Sequence, residues 1–300
     1  MAMNSATPTG PLLEPDFIAR LERLEIVSRK IFHGKMRGER RSKRRGESVE
    51  FADYRNYVVG DDLRHLDWNI YARLERLFIK LFQEEEDLHV NLLVDISGSM
   101  DLGTPRKSRY AMQIAAAMAY IGLCNNDRVS LYAYADGLSY ELAGMRGKRM
   151  IAKVFDFLGN VECGGISDLS RACKQYAMRH GQAGIVLVLS DFFDKGGYES
   201  GLRMLLGRKY DVYCIQILAP EEIEPKLTGE LRLTDVEDDD IAEVSVSRAL
   251  INRYKHNLKA YCEALQTFCT RRGMTYALAS TEVPFDQIVM GYLRRRGLLK

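Results

Sequence analysis

Three short segments carry residue types that together could hold a cation. Asp95-Ile96-Ser97-Gly98-Ser99 follows the apolar run HVNLLV, and Ser190-Asp191 follows the apolar run IVLVL. Between them lies Gly164-Gly165-Ile166-Ser167-Asp168. Asp95 and Asp191 offer carboxylates, while Ser97, Ser99 and Ser167 offer neutral hydroxyl oxygens. A hard divalent ion such as Mg2+ favours about six oxygens in an octahedron and commonly keeps some water. With three neutral ligands the ion stays electrophilic, so an open position can accept a carboxylate from another protein. Alone, Asp-x-Ser-x-Ser after a strand also suits a helix cap, where such side chains satisfy free amides. The other two segments, each in its place in the strand order, favour the metal reading.

These segments meet only if the surrounding elements bring them to one rim. Apolar runs at 77–82, 90–94, 129–134, 185–189, 212–218 and 275–279 predict strands. Helical patterns occupy 108–123, 148–158, 169–179, 198–206 and 248–272. The last is the clearest, with Leu250, Tyr254, Leu258, Tyr261, Leu265 and Phe268 on one face. Strands apolar at every position belong to a mostly parallel sheet covered by helices on both sides. The fold class is therefore α/β, doubly wound. Ligands of such sheets bind beyond the carboxyl ends of the strands, where strand order reverses. The polar segment 229–246 reads as a hairpin inserted before the long helix.

The N-terminal part reads differently. Residues 1–15 form a tail, and Asp16 predicts the cap of a helix running to about residue 32 through Phe17, Leu21, Leu24, Val27 and Ile31. A basic arm at 35–46 follows, and then a Tyr-, Asp- and Arg-rich segment. The reading is a preface over 1–77 and a second domain over 78–300. Alternating charges in the preface predict buried or half-buried ion pairs that fix it to the sheet, with the sole tryptophan, Trp68, as anchor.

The three segments resemble the metal-ion-dependent adhesion site of von Willebrand factor type A domains. The family pattern falls on Asp95, Ser97, Ser99, Ser167 and Asp191. In the family the loop hydroxyl is usually Thr, often directly after the glycines; here Ile166 intervenes and Ser167 takes the role. The resemblance implies a bound Mg2+, with Mn2+ or Ca2+ as alternatives. It also implies a Rossmann-type, six-stranded sheet of order 3-2-1-4-5-6, with Asp95 and Asp191 flanking the switch. Upstream, Arg55, Tyr57, Gly60, Asp61, Asp62, Arg64, Asp67, Trp68 and Arg73 are similar to the signature of a prokaryotic family of uncharacterised proteins, with Asn56 where Pro is usual. Members of that family accompany MoxR-type AAA+ ATPases. The resemblance implies such an ATPase, or its acidic client, as partner.

Composition narrows the alternatives. Three hundred residues with 46% hydrophobic content exclude a mini-scaffold and disorder throughout. The formal charge of +2 hides a division: residues 35–46 carry seven Lys/Arg and one acid, leaving 36 basic and 40 acidic residues elsewhere. The arm is a solvated loop or a contact for an acidic surface, including the chain's own hairpin acids Asp235, Glu237, Asp238, Asp239 and Asp240. A nucleic-acid-binding accessory is one alternative, but the arm has no aromatic residue for stacking and no reading module. The hairpin lacks the glycine and ligand alternation of a calcium loop. The six cysteines and five histidines show no zinc spacing and read as reduced thiols and ordinary side chains. No apolar stretch reaches signal-peptide or bilayer length, so a cytoplasmic protein is expected. The enzymatic rival is a divalent-metal-dependent phosphohydrolase with Asp95 as nucleophile. Related phosphatases place a second Asp two residues later, where Ser97 stands, and no phosphate-binding loop is present. A non-enzymatic interaction module is therefore expected.

Overall fold

The structure, a computed structural model, describes residues 11–26, 50–83, 88–179, 184–207, 210–226, 229–234, 236–237, 241–295 and 297–299. The basic arm at 35–46, and Asp235 and 238–240 of the hairpin, lie outside the described residues. The chain divides into two compact units, Met1–Lys35 with Leu88–Lys300, and Met36–Asp87.

The larger unit opens with α1 (Pro15–Leu21). Pro15 suits the first turn, where its missing N–H costs nothing. Asp16 lies inside that turn instead of capping it, and the helix ends at Leu21 instead of near 32. Ile26 already forms a β-bridge with Leu299, so tertiary pairing overrides the helical period.

The smaller unit holds β1 (Glu50–Asn56), α2 (Trp68–Leu74) and β2 (Phe78–Gln83). β1 and β2 pair antiparallel. Asp67 caps α2 through the Asn69 and Ile70 amides and accepts from Tyr54 Oη. Arg55 grips Asp61 at 2.6 and 2.7 Å, and Arg64 grips Asp62 at 2.6 Å. These pairs are partly exposed, and Trp68 is 62% exposed. Its ring meets the edge of Tyr71.

The rest of the larger unit alternates strand and helix: β3 (His89–Asp95), α3 (Lys107–Cys124), β4 (Arg128–Ala135), β5 (Gly137–Met145), α4 (Ile151–Gly159), α5 (Leu169–Arg179), β6 (Ile185–Ser190), α6 (Glu199–Leu206), β7 (Asp211–Leu218), α7 (Pro220–Ile223), β8 (Gly229–Thr234), β9 (Ile241–Val246), α8 (Arg248–Arg271), β10 (Thr275–Ser280) and α9 (Phe285–Gln287). The central sheet has the order β10-β7-β6-β3-β4-β5, parallel except for β5 at one edge. Read from the β5 edge, this is the expected 3-2-1-4-5-6. The sixth strand, however, is β5. Its exposed Tyr140 and polar neighbours hide it from an apolar-run search, while the 77–82 run forms β2 in the separate two-stranded sheet. β8 and β9 form the expected hairpin.

Alternate strand residues feed two cores. Leu92, Val94, Leu131, Leu187 and Ile215 face α1, α3 and α4. Leu93, Tyr132, Val186, Val188 and Cys214 face α5, α6 and α8. α3 is apolar almost all round, as a helix buried on every side must be. α8 buries only Leu265 and Cys269 fully; Leu250 and Tyr254 remain partly exposed. Periodicity marks which face is apolar, not how much of it finds a partner. All six cysteines are free. Among the described residues, no helix is long and apolar enough to cross a membrane.

Candidate functional site

The strand order reverses between β3 and β6, and both strands end in carboxylates at the same rim. Asp95, fully buried at the end of β3, accepts from the Ser97 amide at 2.9 Å through Oδ1. The chain then turns into a short 3-10 helix, Gly98–Asp101. The Gly98 amide donates to the Gly165 carbonyl at 2.9 Å, and the Gly164 amide to the Ile96 carbonyl at 2.8 Å. Two of the three segments are thus stitched through their backbones. Gly165 has φ +85°, a conformation that favours glycine. The loop leaves Ile166 48% exposed and buries Ser167, whose Oγ donates to Asp95 Oδ2 at 3.4 Å.

The third segment closes the group. Ser190 Oγ donates to Asp95 Oδ2 at 2.6 Å and accepts from the Phe192 amide at 2.8 Å. Asp191 Oδ2 accepts from Ser99 Oγ at 2.9 Å and from Lys107 Nζ at 2.7 Å. Phe192, buried, adopts a left-handed backbone at φ +61°, a costly state for a residue with a large side chain. Tyr261 of α8 donates to its carbonyl, and Gln216 of β7, itself bonded by Tyr276, donates to the Asp191 carbonyl. Neighbouring elements therefore over-determine the turn that aims Asp191.

The five sequence-selected oxygen donors form two hydrogen-bonded groups, Ser97–Ser99–Asp191 and Ser167–Asp95, joined through the Ser97 amide on Asp95. Ser97 Oγ and Ser99 Oγ are 3.1 Å apart, Ser99 and Asp191 2.9 Å, and Ser167 and Asp95 3.4 Å. Adjacent oxygens around an octahedral ion with bonds of about 2.1 Å lie about 3 Å apart. The donor set and its spacing fit Mg2+. Among the described residues no group of three or more His, Cys, Asp or Glu could hold a metal, so any such site here rests on hydroxyls.

Burial, reinforced by the Asp191 charge, raises the Asp95 carboxyl well above its ordinary range. Sequence reasoning missed two participants, Ser190 and Lys107. The Lys107 side chain is fully buried between Asp191 and Glu222 of α7. Burial alone would lower its pKa, but the two carboxylates outweigh burial and raise it, so the ammonium stays charged. The signal available was a lysine opening a mostly apolar helix. The other nearby acids serve the scaffold: Asp101 pairs with Arg106, Asp168 accepts from the Arg171 amide, and Asp194 from the Leu169 and Gly196 amides.

A family described as "Protein of unknown function DUF58" matches residues 53–275. The chain belongs to this family. The DUF58 match spans all five oxygen donors, Ser190 and Lys107. Among curated relatives, the uncharacterized protein Rv1480 of Mycobacterium tuberculosis is 26% identical over 246 residues, covering 80% of this DUF58 chain and 77% of its own length. Among solved structures, the conserved hypothetical protein BatB of Bacteroides thetaiotaomicron superposes with a TM-score of 0.42 at 12% identity, covering 69% of this chain and 98% of that one. A von Willebrand factor type A protein of Catenulispora acidiphila gives a TM-score of 0.35 at 15% identity, covering 47% and 35%.

Proposed function

We propose that this chain is a non-enzymatic, metal-dependent protein-interaction module. Asp95, Ser97, Ser99, Ser167 and Asp191 would hold Mg2+, with Mn2+ or Ca2+ as substitutes. The observation that carries the reading is their gathering at the strand-order reversal with oxygen separations of 2.9–3.4 Å. When bound, the ion supplies a Lewis-acidic position for a partner's carboxylate. The chain's own residues fix the donors: Ser190 and the Ser97 amide hold Asp95, while Lys107 and Ser99 hold Asp191. Lys107 also offsets part of the local negative charge, which favours a site that exchanges ligands over one that traps metal.

The geometry supports binding more than hydrolysis. Asp95 is fully buried and accepts from three donors, an arrangement for a held carboxylate and not for a nucleophile that must reach phosphorus. His89 begins β3 and so lies at the opposite end of the strand from the rim. The upstream signature supports a MoxR-type AAA+ ATPase, or its acidic client, as the partner, with this chain as adaptor or cochaperone. The test is co-elution of the purified full chain with the MoxR-type ATPase of its own genome, in Mg2+ and in EDTA. The complex should form in Mg2+, and separate in EDTA or with Asp95→Ala. Undiminished binding in EDTA would overturn the mechanism.

A further inference from the structure

Lys107 opens α3 and carries a fully buried side chain to the rim, where Nζ donates to Asp191 Oδ2 at 2.7 Å and to Glu222 Oε1. The Phe193 ring lies beside it, its centroid 5.9 Å from Nζ. Asp191 does not need this lysine to keep its aim. Its Oδ1 accepts from the Phe193 amide at 3.1 Å, its Oδ2 accepts from Ser99 Oγ at 2.9 Å, and Gln216 holds its carbonyl. Glu222 is likewise fixed from its own side, since Oε2 accepts from the Ala219 amide at 2.7 Å. Burial of an ion pair carries a desolvation penalty that its own attraction often fails to repay, so orientation alone is a poor reason for a lysine here. What Lys107 adds is a fixed positive charge.

That charge sits on a carboxylate the divalent ion would also use. Asp191 Oδ2 is shared between Lys107 Nζ and Ser99 Oγ, and Ser99 is one of the donors assigned to the cation. An ammonium and a divalent ion drawing on one carboxylate repel each other strongly, because a buried rim screens little. We infer that Lys107 is a resident counter-cation, which balances Asp191 in the metal-free fold and competes with an incoming divalent ion for it. Glu222 sets how hard it competes, by drawing the ammonium toward α7. This rests on the metal-site reading above and adds its regulation: the rim holds the ion loosely, and the Lys107–Glu222 pair fixes how loosely. A partner's carboxylate supplies the negative charge that Lys107 cancels, so cation and partner assist each other's binding.

Mn2+ serves as the probe, with the free ion read by electron paramagnetic resonance during titration of the full chain. Wild type is compared with Lys107→Met, Glu222→Gln and the double variant, with Asp95→Ala as the baseline and circular dichroism to verify folding. Lys107→Met keeps most of the stem and removes the charge, and the double variant also removes the carboxylate that the lysine leaves unpaired. Both lysine-free proteins should bind Mn2+ about tenfold or more tightly than wild type. Glu222→Gln keeps an oxygen for the Ala219 amide and leaves the ammonium to Asp191 alone, so it should bind Mn2+ several-fold more weakly. A lysine that only orients Asp191 predicts the opposite sign at Lys107, a loss of affinity. Equal or weaker binding in either folded lysine-free protein, or unchanged or tighter binding in Glu222→Gln, would overturn the inference. Failure of wild type and every Lys107 and Glu222 variant to bind Mn2+ above the Asp95→Ala baseline would instead overturn the metal-site reading, and the inference with it.

Discussion

Burying Asp95 beside Asp191 makes its negative charge costly, first through lost hydration and then through repulsion, so its pKa rises to about 7. The metal-free fold then keeps a proton that the unfolded chain releases in the ordinary carboxylate range. By linkage, this contribution to stability is fully present below the unfolded pKa and is lost as pH rises through the folded one. In EDTA the melting temperature should therefore fall between about pH 4 and pH 7, and Asp95→Asn should flatten that slope. Thermal melts across pH check this; an equal slope in the variant would contradict it. Asp95, Ser97 and Ser99 are legible in the sequence because one strand and one tight turn present them together. Lys107 is not, since a lysine in a first helical turn reads as solvent-facing until α7 brings Glu222 against it.

The turn after β6 shows why elements matter as much as side chains. Phe192 is held left-handed by Ser190 below it and Tyr261 of α8 beside it, so a helix distant in sequence helps to aim Asp191. The anchorage of α8 lies in its C-terminal half, where Leu265 and Cys269 are buried. Leu265→Ala should cost about 2–5 kcal/mol, as deletion of a buried leucine does, whereas Leu250→Ala should cost well under about 1 kcal/mol. Urea denaturation measures both, and equal losses would show that α8 packs evenly along its length. The helical period of α8 was readable, but which half is covered depends on where β10 and the Phe192 turn end. β5 escaped for a related reason: an edge strand exposes polar residues and carries no continuous apolar run. α1 stops early because Ile26 pairs with Leu299, a contact across most of the chain.

At the scale of the whole molecule, the DUF58 match runs from the smaller unit through the sheet to β10, and the charge is divided unevenly. The doubly wound class was readable from the alternating apolar runs and helices, whereas the strand order was implied by the family resemblance. The acidic remainder of the chain is not a uniform surface: it includes the rim carboxylates, which a buried lysine answers. The account turns on one cation place, at the rim where the strand order reverses. Crystals of the full chain soaked in Mn2+ should show one anomalous peak ringed by Asp95, Ser97, Ser99, Ser167 and Asp191, and Asp95→Ala crystals should show none there. A saturating soak that leaves this oxygen cluster without a peak would contradict the account.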